Sequence, residues 1–527
     1  MAASPQMEIL VREPEGFSMW DGPPFTNAQP TVKLETVPCS SAVFSEDGSR
    51  LMVMKSESKI AIYDCSSNNE VKVIEVPNVV AAALSPCGTY LQTFQKATTQ
   101  QEKNVTLWKI ETGAPVYQHF QKNMTKTTWP VIRFSSDEAT ACRLATNEVQ
   151  YFDTEDFSKG IVNRLRIPGI AALELSKSPG LYVAAFVPES KGIPASVQIF
   201  ACNKELQSQP VARRSFFQCS SVQLSWNCGS TGLLVLVQSD VDKTNQSYYG
   251  VTKLNYLTID GTHTGLVPLN KEGPVHDVRW SYSGKEFAVV YGFMPAKVTI
   301  FDKKCNVVLE LGTGPYNTVR WNPKGKFICV AGFGNLPGDM AFWDYSEKKK
   351  LAATKSEWSV SSEWSPDGCY FMTATTAPRM QVDNGIKIFH YNGSLYFKKM
   401  VDKLFQAEWK PHSPDKFGEI SELVQGLGSI NIEESKPTGQ GSKPSQNNAK
   451  SSSVNPLSQK PAAAYRPPQA KPAAAYRPPQ AKAAAAAQAQ LFGSSGSDEM
   501  SKAALRNKKK REKQKEKKVA EAGNGST

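Results

Sequence analysis

Nine recurrences of one pattern predict an all-β chain: an apolar strand ending in an aromatic or Leu, a Ser/Asn-to-Gly turn, and a closing strand ending in an aromatic and a polar residue. Together they predict a nine-bladed WD-type β-propeller with a disordered basic C-terminal tail containing a short helix. The strand-end anchors are Phe44, Leu84, Phe134, Leu175, Trp226, Trp280, Trp321, Trp364 and Trp409, spaced 40 to 54 residues apart. Their turns include Ser45-Glu46-Asp47-Gly48, Ser85-Pro86-Cys87-Gly88, Ser281-Tyr282-Ser283-Gly284, Asn322-Pro323-Lys324-Gly325 and Ser365-Pro366-Asp367-Gly368. Ser or Asn caps the first turn position, Pro pre-sets φ at the second, and Gly accepts the positive φ that follows. Closing strands end in Tyr63-Asp64, Trp108-Lys109, Phe152-Asp153, Phe301-Asp302, Trp343-Asp344 and Phe389-His390.

A ring of blades must close. After Trp409 there is no room for a full blade, whereas Ile9-Leu10-Val11 and Phe17-Ser18-Met19-Trp20-Asp21 read as the last two strands of one. The N-terminal strands are therefore expected to complete the ninth blade beside Trp409, which removes exposed sheet edges. No linker interrupts residues 30–410, which argues against two smaller propellers. The expected organisation is a propeller over 1–424, a disordered Pro/Ala/Gln/Ser-rich linker over 425–497, a basic helical segment over 498–521 and a disordered end over 522–527. Within the linker, KPAAAYRPPQA occurs twice in tandem at Lys460–Ala470 and Lys471–Ala481, and its Pro pairs favour extended polyproline geometry. Ser497 can cap the following helix, with Asp498 and Glu499 at its positive end and lysines toward its negative end.

The net charge of +12 is unevenly placed. From Lys436 onward there are 18 Lys and Arg against 5 Asp and Glu, leaving the preceding residues at 43 against 44. The tail carries the excess, which points to a polyanionic partner. Arg506, Lys508, Lys509, Lys510, Arg511, Lys513, Lys515, Lys517 and Lys518 are the candidate RNA-binding residues, suited to phosphates and unable to read bases. Two loops mixing aromatic and polar or basic residues are candidate partner-binding sites: Tyr291, Phe293 and Lys297 in the sixth blade, and Phe333 and Asn335 in the seventh.

Enzymatic and metal chemistry find no support. The 10 cysteines form no C-x-x-C pair and the 5 histidines sit at no zinc-ligand spacing, so buried reduced thiols are expected. No G-x-x-x-x-G-K-[ST] loop occurs; Gly284-Lys285 and Gly325-Lys326 lie in blade turns, and Gly332-Phe333-Gly334 in a strand-connecting loop. Asp240-Val241-Asp242-Lys243-Thr244 opens like a calcium loop but lacks its Gly and final Glu. The expectation is no catalytic residue, no metal, no cofactor and no membrane segment, in a cytoplasmic, monomeric chain.

Several long segments carry a resemblance. SDVDKTNQSYYG (Ser239–Gly250), VYGFMPAKVTIFD (Val290–Asp302), GTGPYNTVRWNP (Gly312–Pro323), VAGFGNLPGDMAFWD (Val330–Asp344) and TATTAPRMQVDNGIKIFHYNGS (Thr373–Ser394) are similar to those of the eukaryotic translation initiation factor 2A family. The tail adds AYRPP and SKAALRNKKKREKQKEKK. The resemblance implies a nine-bladed propeller and delivery of initiator methionyl-tRNA to the small (40S) ribosomal subunit, codon-dependent and without GTP, for a subset of mRNAs. It also implies that the tail contacts tRNA and mRNA while the propeller docks on the ribosome. Members of that family continue past the basic run into a long helical arm, whereas this sequence stops at Thr527, so no contact of that arm is carried over. The alternative is a non-catalytic propeller scaffold in a translation or other RNA–protein assembly, such as one resembling the large propeller subunit of initiation factor three. That subunit carries an RNA-recognition domain before its propeller, for which there is no space before residue 30.

Overall fold

The computed structural model describes residues 6–425 apart from 97–101, 123, 126–127, 178–179, 203–208 and 240–250. Over these residues the chain forms nine four-stranded antiparallel sheets, arranged as a nine-bladed β-propeller.

Blade 6 shows why the sequence folds this way. Its strands are Val275–Trp280, Glu286–Tyr291, Ala296–Asp302 and Val307–Gly314, from the axis outward. The second strand is buried from Phe287 to Tyr291 and the third from Val298 to Phe301, because neighbouring blades cover both faces of each middle strand. Both therefore read as continuous β-branched and aromatic runs. Half of the outer strand is exposed.

The signatures read in the sequence each have a structural cause. At the first turn, the cap oxygen accepts an amide across the hairpin: Tyr90 N donates to Ser85 Oγ at 2.8 Å and Tyr370 N to Ser365 Oγ at 2.9 Å. The turn glycine is needed at Gly48 twice over. Its φ is +72°, and an added Cβ would lie 2.0 Å from the Pro411 carbonyl oxygen. The Asp after the closing aromatic caps the outer turn: Asp302 accepts from Lys304 N and Asn306 N, both at 2.8 Å. Hydrogen bonding, led by the Ser66 hydroxyl, holds the equivalent Asp64 down at about 2. A register shift recurs one residue before the aromatic's pairing, at Ile62/Tyr63, Leu107/Trp108, Tyr151/Phe152, Ile300/Phe301, Phe342/Trp343 and Ile388/Phe389. Such bulges increase the twist of the outer strand.

Ring closure follows the expected partners with one correction of position. Glu8–Glu13 and Gly16–Asp21 are the second and third strands of blade 9, not its last two. Gln406–Trp409 supplies the inner strand, with Ile9 opposite Trp409, and Val32–Val37 is the outer one. That outer strand leaves no mark in the sequence, because four of its six residues are exposed and it carries no buried stripe. The N-terminal strands are sandwiched on both faces: Ile9, Val11 and Trp20 pack with Phe371 and Ile386 of blade 8, and Leu10, Phe17 and Met19 with Leu51 and Val53 of blade 1. A buried ion pair completes the junction. Lys410 Nζ lies 2.6 Å from Glu8 Oε2 and also donates to the Cys65 carbonyl of blade 1.

Candidate interaction surfaces

The strand-end tryptophans join blades as well as filling the core. Each indole Nε1 donates to the carbonyl of the residue preceding the anchor of the previous blade: Trp226 to Glu174 at 3.1 Å, Trp280 to Ser225 at 3.0 Å, Trp321 to Arg279 at 3.1 Å and Trp364 to Arg320 at 3.0 Å. Trp409 breaks the series, for its buried Nε1 has no acceptor.

The residues before the anchors face the axis, because side chains alternate along a strand. Val43, Glu174, Ser225, Arg279, Arg320, Glu363 and Glu408 accordingly line a central channel of about 1060 Å³. Its charges are partly paired: Asp277 lies 3.1 Å from Arg279 and 3.2 Å from Arg320, and Glu174 lies 3.6 Å from Arg133. Among the described residues Glu363 forms no ion pair, and Arg320 acts on it only at longer range. The enclosing walls, and secondarily Glu408, push the Glu363 pKa up to about 7, and enclosure raises that of Glu408 too. Sequence reasoning missed this ring. The signal was available as the column of residues immediately before the nine anchors.

The two candidate loops lie at the opposite strand ends from the capped turns. Tyr291 is 1% exposed, with its hydroxyl 2.6 Å from Asn270 Oδ1. Phe333 is 6% exposed and its backbone is clamped by the Asn317 side chain at 3.0 and 2.8 Å. Lys297 pairs with Glu310 at 2.7 Å. Of the five candidate residues, Phe293, 41% exposed, and Asn335 present their side chains outward. Tyr291, Lys297 and Phe333 thus hold the loops, and Phe293 and Asn335 are what a partner could meet. Arg506, Lys508, Lys509, Lys510, Arg511, Lys513, Lys515, Lys517 and Lys518 lie outside the described residues, as do Asp240-Val241-Asp242-Lys243-Thr244.

Burial pushes the Cys65 thiol up to about 12 and Cys305 to about 11, and holds His119 down at about 3. A nucleophile or general base needs the reverse. Among the described residues no helix is long and apolar enough to cross a membrane.

A rigid ring of sheets with interblade hydrogen bonds, a charged channel and decorated turn ends is a propeller scaffold of the WD type. Comparisons with known proteins take the assignment further. The family model "Eukaryotic translation initiation factor eIF2A" matches residues 214–407. Eukaryotic translation initiation factor 2A of Schizosaccharomyces pombe is 37% identical over 83% of this chain and 74% of its own length. Its Drosophila melanogaster counterpart is 34% identical over 78% and 67%. A solved structure described as a crystal structure of the eukaryotic initiation factor superposes with a TM-score of 0.69 at 33% identity, covering 77% of this chain and 99% of that one. The chain belongs to the eukaryotic translation initiation factor 2A family.

Proposed function

We propose that this initiation factor directs methionyl initiator tRNA to the 40S ribosomal subunit in a codon-dependent, GTP-independent manner, for a subset of mRNAs. The propeller docks on the subunit, and the basic segment over 498–521 contacts RNA without catalysing a reaction. The factor works as a cytoplasmic monomer. The observation that carries this reading is the kinship with factor 2A along most of the propeller, joined to a sequence that has no phosphate-binding loop for GTP.

The test is retention of charged initiator tRNA on purified 40S subunits, with and without the protein and an AUG-containing message, in the absence of GTP. Retention that requires both protein and AUG is expected. Binding to subunits without tRNA retention would overturn tRNA delivery and favour a non-catalytic scaffold in the initiation assembly.

A further inference from the structure

Antiparallel pairing places two turns of each of blades 1 to 8 at one end of the ring: the turn joining its first and second strands, and the turn joining its third and fourth. In blades 1 to 3, over residues 41–166, these turns hold 8 carboxylates and one lysine, Lys159. In blade 6 and in blade 7, whose strands are Thr318–Trp321, Phe327–Ala331, Asp339–Asp344 and Lys349–Lys355, they hold Lys285, Lys303, Lys304, Lys324, Lys326 and Lys348 against one carboxylate, Glu347. Lys349 and Lys350 extend the series into the outer strand of blade 7. In a ring of nine, blade 2 lies opposite the junction of blades 6 and 7. The nearly neutral body therefore carries a charge polarity across one face.

The two halves differ in what their charges do for the fold. Carboxylates of the acidic half serve their own turns: Asp47 accepts from Ser45 Oγ at 2.6 Å, Asp137 from Ser135 Oγ at 2.5 Å and Asp156 from Ser158 N at 3.0 Å. Among the described residues none of the eight lysines forms an ion pair, whereas Lys33, Lys55, Lys59, Lys109, Lys159, Lys297, Lys355 and Lys410 all do. Asp302 and Asp344 lie among the lysines but are occupied by amides and hydroxyls of their own turns. Lys303 and Lys324 reach only neutral oxygens, those of Thr231 and Phe417. Lysines 285, 304, 348, 349 and 350 are exposed.

We propose that the turn end of blades 6 and 7 is a binding site for the phosphodiester backbone of RNA. Flexible lysines without arginine forks suit a chain of phosphates better than one shaped anion. Tyr282, 55% exposed in the first turn of blade 6, offers a ring on which a base can stack. The surface otherwise lacks the apolar centre that a protein interface needs. The acidic half repels the same polyanion and so sets the direction of approach. The choice of RNA over another polyanion rests on the proposed initiation role.

The test uses the full chain with Lys303, Lys304, Lys348, Lys349 and Lys350 changed to Gln. Binding of labelled oligouridylate is followed by anisotropy across a salt series, in the natural tail and with the tail lysines 508–518 neutralised. The slope of log affinity against log salt should fall by about 0.7 per lysine in both backgrounds, with at least about a tenfold loss of affinity at low salt. The corresponding Lys→Arg variant should restore binding, which separates lost charge from lost structure. An unchanged slope overturns the site. Lost affinity for polyglutamate with oligouridylate binding intact also overturns it, and assigns the surface to an acidic protein. Lysine-dependent RNA binding beside absent tRNA retention on 40S subunits would leave this site standing and reject the delivery role.

Discussion

Lys410→Met should loosen the closure between blade 9 and blade 1. Lys410 and Glu8 side chains are only 9% and 8% exposed, and the lysine spans Glu8 in the N-terminal strand and the Cys65 carbonyl in blade 1. Removing one member of a buried pair costs about 3–5 kcal/mol, chiefly because the other charge stays buried alone. Here the lower end applies, because Lys33 Nζ remains 3.3 Å from the other Glu8 oxygen. An unfolding entropy of about 2.1 cal/mol/K per residue, over about 420 residues, makes about 3 kcal/mol a fall of about 3–4 °C in Tm. Differential scanning calorimetry at one fixed scan rate measures it. Glu8→Leu combined with Lys410→Met removes both charges, leaves Lys33 its 3.0 Å partner Asp21, and should recover most of the loss. A single variant within about 1 °C of the parent, or a double variant less stable than the single, would refute the latch.

Two further perturbations test the interblade bonds and the channel. Trp364→Phe removes the indole donor to the Arg320 carbonyl, which keeps its place in the ladder opposite Cys329, whereas Trp409→Phe deletes an indole N–H that has no acceptor, so the first should cost about 0.5–1.5 kcal/mol more by chemical denaturation; equal losses would show that the indoles act by volume alone. Glu363→Gln should flatten the pH dependence of Tm. The folded pKa of about 7 lies above an unfolded carboxyl value of about 4.3, so the stabilisation from protonation is complete below the lower value and is lost as pH rises through the higher. Because the carboxyl opens into the channel, solvent screening keeps the effect small, and superimposable profiles for parent and variant would remove Glu363 as its source.

What was legible in the sequence is what repeats for a local physical reason. Trp280, Trp321 and Trp364 stand out because an indole must both fill the inner blade junction and donate to the previous blade. Gly48 and Asp302 stand out because one turn demands positive φ and the next a side-chain cap. Outer strands such as Asn69–Glu75 and Val32–Val37 have one face in solvent and no fixed partner chemistry, so their residues read as loop. With the outer strand silent, Glu8–Glu13 and Gly16–Asp21 read one position further outward in blade 9 than they stand. For the loops, side-chain type alone could not separate Phe293 from Phe333. Both are aromatic beside glycine, yet the second is drawn inward by Asn317, which lies 16 residues earlier, just before the first strand of the same blade.

The charge polarity was hidden for a different reason. Summed along the sequence, 43 basic and 44 acidic residues before Lys436 look featureless, and attention falls on the tail. A propeller sorts residues by their phase within the repeat and not by their distance along the chain. Lys303 and Lys304 meet the turn end of the ring because they follow a closing aromatic-Asp, as does Lys348 after Trp343-Asp344. Lys297 and Lys355 belong to the other phase of the same two blades, where they find Glu310 and Asp339. Lysines of one phase are thus consumed by the fold and those of the other are left for a partner. Sorting charges by repeat phase before summing them would have exposed the surface from the sequence alone, once the blade count was known.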